Sequence, residues 1–169
     1  NIAEAMSYVH SRRDQLGRPL NIVHRDLNPA NVIVSYDGAV KLIDFGIART
    51  AQKSDLTQVG MLVGKVRYMA PEQLRGEAVV GAADVWAASV VACELLTGRR
   101  FWGERSPDQV APMLAAGAPH RPPSFSSLPP DLQRLLSRGL EHEAAARPSA
   151  GELRDGFRAV QQRRGAIGS

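Results

Sequence analysis

Cysteine is almost missing from this chain: Cys93 is its single copy in 169 residues. That excludes an internal disulfide framework and sets the expectation of a reducing compartment, the cytoplasm. Lysine is scarce too, with only Lys41, Lys53 and Lys65, so the net charge of +4 and the pI near 9.7 come from arginines scattered along the chain. The densest basic group is Arg158, Arg163 and Arg164 near the end. No helix-turn-helix, zinc-ligand or aromatic stacking pattern accompanies this charge, and aromatic residues make up only 5% of the chain, so nucleic-acid binding is not expected. The charge reads as a solvated surface with some attraction for acidic peptides. The glycines nowhere spell G-x-G-x-x-G, and no internal repeat is visible. No apolar run reaches the ~20 residues that a membrane span needs.

What is present suits one domain. At 169 residues and 44% hydrophobic, the chain can bury a real core. The longest apolar run, Ala82 to Gly98, carries Val85, Trp86, Val90, Val91, Cys93, Leu95 and Leu96 on every face of a helix. It includes Asp84 and Glu94, so a buried central helix fits better than a membrane span. Ile2, Met6 and Val9 predict a helix from Asn1 to about Gln15. Ser106-Pro107 is a helix start and opens one to about Ala116. Pro119 to Pro130 is predicted as a loop. Pro130 to Leu140 and Ser149 to about Gln162 each present one apolar face, with Leu132, Leu135, Leu136 and Leu140 on the first and Leu153, Phe157 and Val160 on the second. Gly165 to Ser169 is expected to fray.

Between these helices lie two β-branched runs, Val32 to Val34 and Val40 to Ile43, separated by Tyr36-Asp37-Gly38. An Asp-Gly turn flanked in this way predicts a β-hairpin. A hairpin returns the chain to its starting point, so Asn31 before the first strand and Asp44 after the second should be neighbours. Two side-chain oxygens facing one point would suit Mg²⁺, which takes a few protein oxygens together with phosphate and water.

Four short signals occur in a fixed order: His24-Arg25-Asp26, then Asn31, then Asp44-Phe45-Gly46, then Ala70-Pro71-Glu72. In that order they resemble the catalytic loop, magnesium-binding turn and activation-segment end of the eukaryotic-type Ser/Thr protein kinases, including those of bacteria. The resemblance implies a mainly α fold, the C-terminal lobe of a kinase's α+β architecture: a helical bundle around a buried central helix, with a small β-hairpin carrying the catalytic and magnesium-binding loops. It covers residues 1 to 163, with 164 to 169 as a flexible tail. The family's glycine-rich loop, strand lysine and helix glutamate are not among these residues, so the expectation is a lobe whose N-terminal partner lies elsewhere.

The resemblance also implies roles. Asp26 accepts the proton of a protein hydroxyl and orients it toward the γ-phosphorus of ATP. Asn31 and Asp44 hold Mg²⁺, and Ile33 joins them in binding the nucleotide. His24 and Phe45 belong to an apolar stack, and Arg25 can pair with a phosphate on the activation segment, where Thr57 is the candidate acceptor. Glu72 is expected to form a buried bidentate pair with Arg147, and Asp84 to accept hydrogen bonds from the catalytic-loop backbone.

The chain departs from the family at three places. Two residues after the catalytic aspartate the usual lysine is replaced by Asn28. In the run leading to Ala70-Pro71-Glu72 the usual threonine is replaced by Lys65. Lys65 is therefore expected to reach Asp26 from the other side and partly replace the missing cation, which makes Asn28 and Lys65 part of the candidate catalytic set. Ser89 stands where the central helix commonly has glycine, and only local repacking is expected. The competing reading is a noncatalytic interaction module that binds partners through the surface around Ser106 to Ala116.

Overall fold

The computed structural model describes residues 2–45, 64–117 and 120–165. Within them the chain is mainly helical, with one two-stranded antiparallel sheet. Helix α1 is Ile2–His10, followed by strands β1 (Val32–Val34) and β2 (Val40–Leu42). Short helix α2 is Pro71–Leu74, and α3 is Ala82–Thr97. The last three helices are α4 (Pro107–Ala115), α5 (Pro130–Gly139) and α6 (Ala150–Gly165).

Helix α3 explains its own composition. Trp86, Val90 and Cys93 join Phe101, Trp102, Val110, Leu114 and Leu136 in one core cluster. Val85, Ala87 and Ala88 join Met6, Leu27 and Leu153 in a second. A helix packed on both sides needs apolar residues all round. At about 1.5–3 kcal/mol for each large apolar side chain fully buried, these two clusters dominate what holds the bundle together. The pattern stops near the helix end, where Leu95 and Leu96 are exposed and line an open apolar groove with Val34, Leu132 and Phe157. Gly98 then ends the helix, its φ of 64° providing the left-handed cap conformation.

Several boundaries differ from the sequence expectation. Helix α1 stops at His10 instead of running to Gln15, because Asp14 Oδ1 accepts from the Leu16 and Arg18 N–H groups and folds the chain into a loop closed by an Arg13–Pro19 bridge. Within the expected loop, Pro123–Ser127 forms a 3₁₀ turn that buries Phe125. Helix α6 continues through Arg164 and Gly165, two residues that the sequence assigns to the tail. It begins with a capping box in which Ser149 N–H donates to Glu152 Oε2 at 2.7 Å and Glu152 N–H to Ser149 Oγ at 3.2 Å.

Ser89 is accommodated by its neighbour. Its hydroxyl donates to Val85 O at 2.8 Å, and Gly139 of α5 faces it so closely that a Cβ on Gly139 would lie 2.0 Å from Ser89 Oγ. The side chain gained on α3 fits against one that α5 does without.

Candidate active site

The hairpin sets the site's frame. Val32 pairs with Leu42, Ile33 with Lys41 and Val34 with Val40. Gly38, at φ 84°, supplies the positive φ of the turn. Ile43 N–H extends the ladder by donating to Asn31 O at 3.0 Å, so Asn31 and Asp44 emerge at the same end. Val32 and Leu42 pack toward the core, while Ile33 points to the other face and is about half exposed.

Asp26 lies at this end beside three other polar side chains. Asn31 Nδ2 donates to Asp26 O at 2.8 Å and to Oδ2 at 3.3 Å. Asn28 Nδ2 donates to Asp26 O at 2.9 Å and to Oδ1 at 3.3 Å, and Asn28 Oδ1 caps the 3₁₀ turn Pro29–Asn31 through Ala30 N–H. Lys65 Nζ forms an ion pair with Asp26 Oδ2, the oxygen that Asn31 also reaches.

The loop that presents Asp26 is held in a costly conformation. Arg25 has φ 65° and Asp44 has φ 54°, both in the left-handed region that residues with a Cβ seldom adopt. Arg25 is clamped at both ends of its backbone: its N–H donates to Asp84 Oδ1 at 2.9 Å, and its carbonyl accepts from Gln73 Nε2 at 2.9 Å. Asp84 Oδ2 also accepts from His24 N–H at 2.8 Å and contacts His10 Nε2 at 2.8 Å.

His24 links the loop to the hairpin. The Ile43 carbonyl can only accept, so His24 Nε2, 3.0 Å away, carries the proton. That leaves Nδ1 to accept the Asp26 N–H at 3.4 Å. The Phe45 ring lies against the imidazole, centroids 4.5 Å apart.

Glu72 and Arg147 make a fully buried bidentate pair, Nη1 to Oε1 at 2.7 Å and Nη2 to Oε2 at 2.8 Å. The remaining guanidinium donors reach Glu141 O, Ala82 O and His142 O, and Trp86 lies beneath the group. Gly46 and Thr57 lie outside the described residues. Two residues of this framework, His10 and Gln73, have no motif to mark them. Gln73 was detectable only as a polar residue three positions after Ala70, whose N–H its Oε1 accepts at 2.9 Å.

The donor set suits a magnesium–nucleotide complex. Asn31 spends its amide N–H groups on Asp26, which leaves Oδ1 available, and Asp44 is an exposed carboxylate at the same mouth. Among the described residues no group of three or more His, Cys, Asp or Glu could hold a metal by itself. Two protein oxygens completed by phosphate and water are what Mg²⁺ accepts. Cys93 takes no part: it is buried in the core, and burial pushes its thiol up to about 12.

The site thus holds a loop aspartate bonded to Asn31 and paired with Lys65, at the end of the hairpin from which Asp44 emerges. A family model described as the protein kinase domain matches residues 1–156. The chain belongs to that family. It is 36% identical over 139 residues to the tyrosine-protein kinase MasK of Myxococcus xanthus, covering 82% of this chain and 22% of the relative. It is 35% identical over 156 residues to the serine/threonine-protein kinase PknA of Mycobacterium tuberculosis, covering 88% and 36%. With the serine/threonine-protein kinase PkaA of Streptomyces coelicolor the identity is 36% over 164 residues, covering 95% and 28%. The chain thus spans about a fifth to a third of the length of these curated relatives.

Proposed function

We propose that these residues form the catalytic C-terminal lobe of a bacterial-type Ser/Thr protein kinase, which transfers the γ-phosphoryl group of ATP to protein hydroxyls. The observation that carries the reading is the joining of Asp26 to Asn31 by hydrogen bonds at the mouth of the hairpin that delivers Asp44. In this reading Asp26 orients the acceptor hydroxyl and takes its proton. Asn31 and Asp44 hold Mg²⁺, which when bound neutralises charge on the transferring phosphate. Ile33 supplies apolar contact for the nucleotide. His24, Phe45, Asp84 and Gln73 keep the loop in place, and the Glu72–Arg147 pair anchors the end of the activation segment. Arg25 and Thr57 are the proposed phosphate-responsive pair of that segment.

The glycine-rich loop and strand lysine of the family are not among these 169 residues, so the α- and β-phosphates are held by other parts of the kinase fold. The isolated chain is accordingly proposed to be inactive. Protein substrates in a reducing, cytoplasmic setting fit both the family and the lone buried Cys93. Among the described residues no helix is long and apolar enough to cross a membrane.

The test is phosphate transfer by the full-length gene product with ATP, Mg²⁺ and dephosphorylated casein. Transfer should require the metal, land on serine or threonine, and vanish in Asp26→Asn. Full transfer by Asp26→Asn would overturn the reading.

A further inference from the structure

We propose that Lys65 is the cation that holds the transferring phosphoryl group, and that it is supplied by the segment 64–75 instead of by the loop that carries Asp26. The proposal rests on the kinase reading of Asp26.

Asn28 cannot take that role. It is neutral and buried, both ends of its amide are committed within its own loop, to Asp26 and to the Ala30 N–H, and it has no donor to spare for a phosphate. Lys65 has what Asn28 lacks. Its ammonium pairs with Asp26 Oδ2, and its side chain is 33% exposed where that of Asp26 is 12%. The lysine side chain is thus more open to solvent than the carboxylate it pairs with. An ammonium group has three donors, so contact with Asp26 leaves others for phosphate oxygens. Of the other lysines, Lys41 is on β2 opposite Ile33, and Lys53 lies outside the described residues.

The position of Lys65 is fixed by the segment that follows it. Val66 is buried in the core, Trp102 Nε1 donates to Arg67 O at 2.8 Å, and Tyr68 OH donates to Glu94 Oε2 at 2.8 Å. Gln73 then reaches Arg25 O, and Glu72 is locked to Arg147. The cation is thus present at Asp26 only when this segment is seated, so seating of the segment and completion of the charge set become one event.

In the transfer step the acceptor hydroxyl oxygen forms a bond to the γ-phosphorus. The bond from that phosphorus to the bridging oxygen breaks, and its electron pair leaves with ADP. The hydroxyl proton passes to the Asp26 carboxylate. Lys65 forms and breaks no bond: its charge is matched to the phosphoryl oxygens, on which negative charge is spread in the transition state.

The experiment relocates the charge in the full-length gene product, with ATP, Mg²⁺ and dephosphorylated casein. Lys65→Met should lower kcat by about 10²-fold, the scale for removing one preorganised electrostatic contact, with little change in the KM for casein. Asn28→Lys combined with Lys65→Met should recover most of kcat, which repair of folding alone would not explain if both variants melt like the parent. Lys65→Gln serves as a second neutral variant if Lys65→Met melts early. Asp26→Asn separates the two readings. If the parent transfers no phosphate, or Asp26→Asn transfers as well as the parent, the kinase reading falls and this proposal with it. If the parent is active and Asp26→Asn is not, parental kcat in the neutral Lys65 variants overturns the role of Lys65 alone. A double variant as slow as Lys65→Met does the same.

Discussion

His10 Nε2 lies 2.8 Å from Asp84 Oδ2, a contact between residues 74 positions apart that ties the last turn of α1 to the head of α3. The same carboxylate accepts the backbone N–H groups of His24 and Arg25, so three donors converge on a side chain that is 1% exposed. A buried carboxylate is tolerable when its oxygens are satisfied in this way. The approach is close: a Cβ on Gly81 would stand 2.9 Å from the His10 ring. Asp84 thus holds Arg25 in its left-handed conformation and, through it, fixes where Asp26 points.

Asp84→Asn should therefore damage both stability and transfer. The substituted amide keeps the shape but places an N–H₂ where one carboxylate oxygen accepts, leaving at least one buried donor opposed. A loss on the order of 3 kcal/mol is expected, read by chemical denaturation of the full-length product. Unchanged stability would show that the three donors find water instead.

The Glu72–Arg147 pair gives a second prediction through its burial. Arg147→Met strands a carboxylate that is 4% exposed in its side chain, and should cost about 3–5 kcal/mol. Glu72→Met combined with Arg147→Met should cost clearly less than the sum of the single changes, because neither charge is then left alone. Additive losses would mean that the pair is not energetically coupled.

Much of this framework could be read from the residues because its signals are local. The Asp37-Gly38 turn, the all-round apolar helix at Ala82, and the Ser106-Pro107 start depend on neighbours in sequence, and these elements form where expected. What could not be read depends on distant partners. Nothing near His10 says that Asp84 will lie against it, and nothing near Gln73 says that it will reach Arg25 O. The end of α1 differs from the expectation for a local reason: residues 11–15 carry no proline or glycine to stop a helix, but Asp14 competes for the backbone. The expectation that Lys65 reaches Asp26 came from charge, since two departures from a family pattern compensate only if their side chains meet.

Ser89 and Gly139 form a coupled pair. Gly139→Ala places a methyl group 2.0 Å from Ser89 Oγ and 3.0 Å from its Cβ, inside the packed contact of α3 and α5. A loss of about 1–3 kcal/mol is expected from overpacking. Ser89→Gly should relieve it, so the double variant should be more stable than Gly139→Ala alone. A thermal melt series of the parent, two single variants and the double variant checks this, and a double variant less stable than Gly139→Ala would refute the pairing.

His120 predicts a pH dependence. Its imidazole stacks on Trp102 at 4.5 Å and meets Phe101 edge-on at 5.3 Å, with Nε2 3.0 Å from the Phe101 carbonyl. Burial holds its pKa below the ordinary value of about 6.5, and the charges of Arg105 and Arg121 push the same way, while the bond to Phe101 opposes them. Above the ordinary value the ring is neutral in both folded and unfolded chains and contributes no pH slope. As pH falls below it, the unfolded chain takes up a proton that the folded chain refuses, so stability is lost until the lowered native value is passed. The parent should therefore lose more melting temperature between about pH 7.5 and about pH 5.5 than His120→Gln, which cannot titrate. Parallel losses in the two proteins would mean that the acid sensitivity arises at other groups.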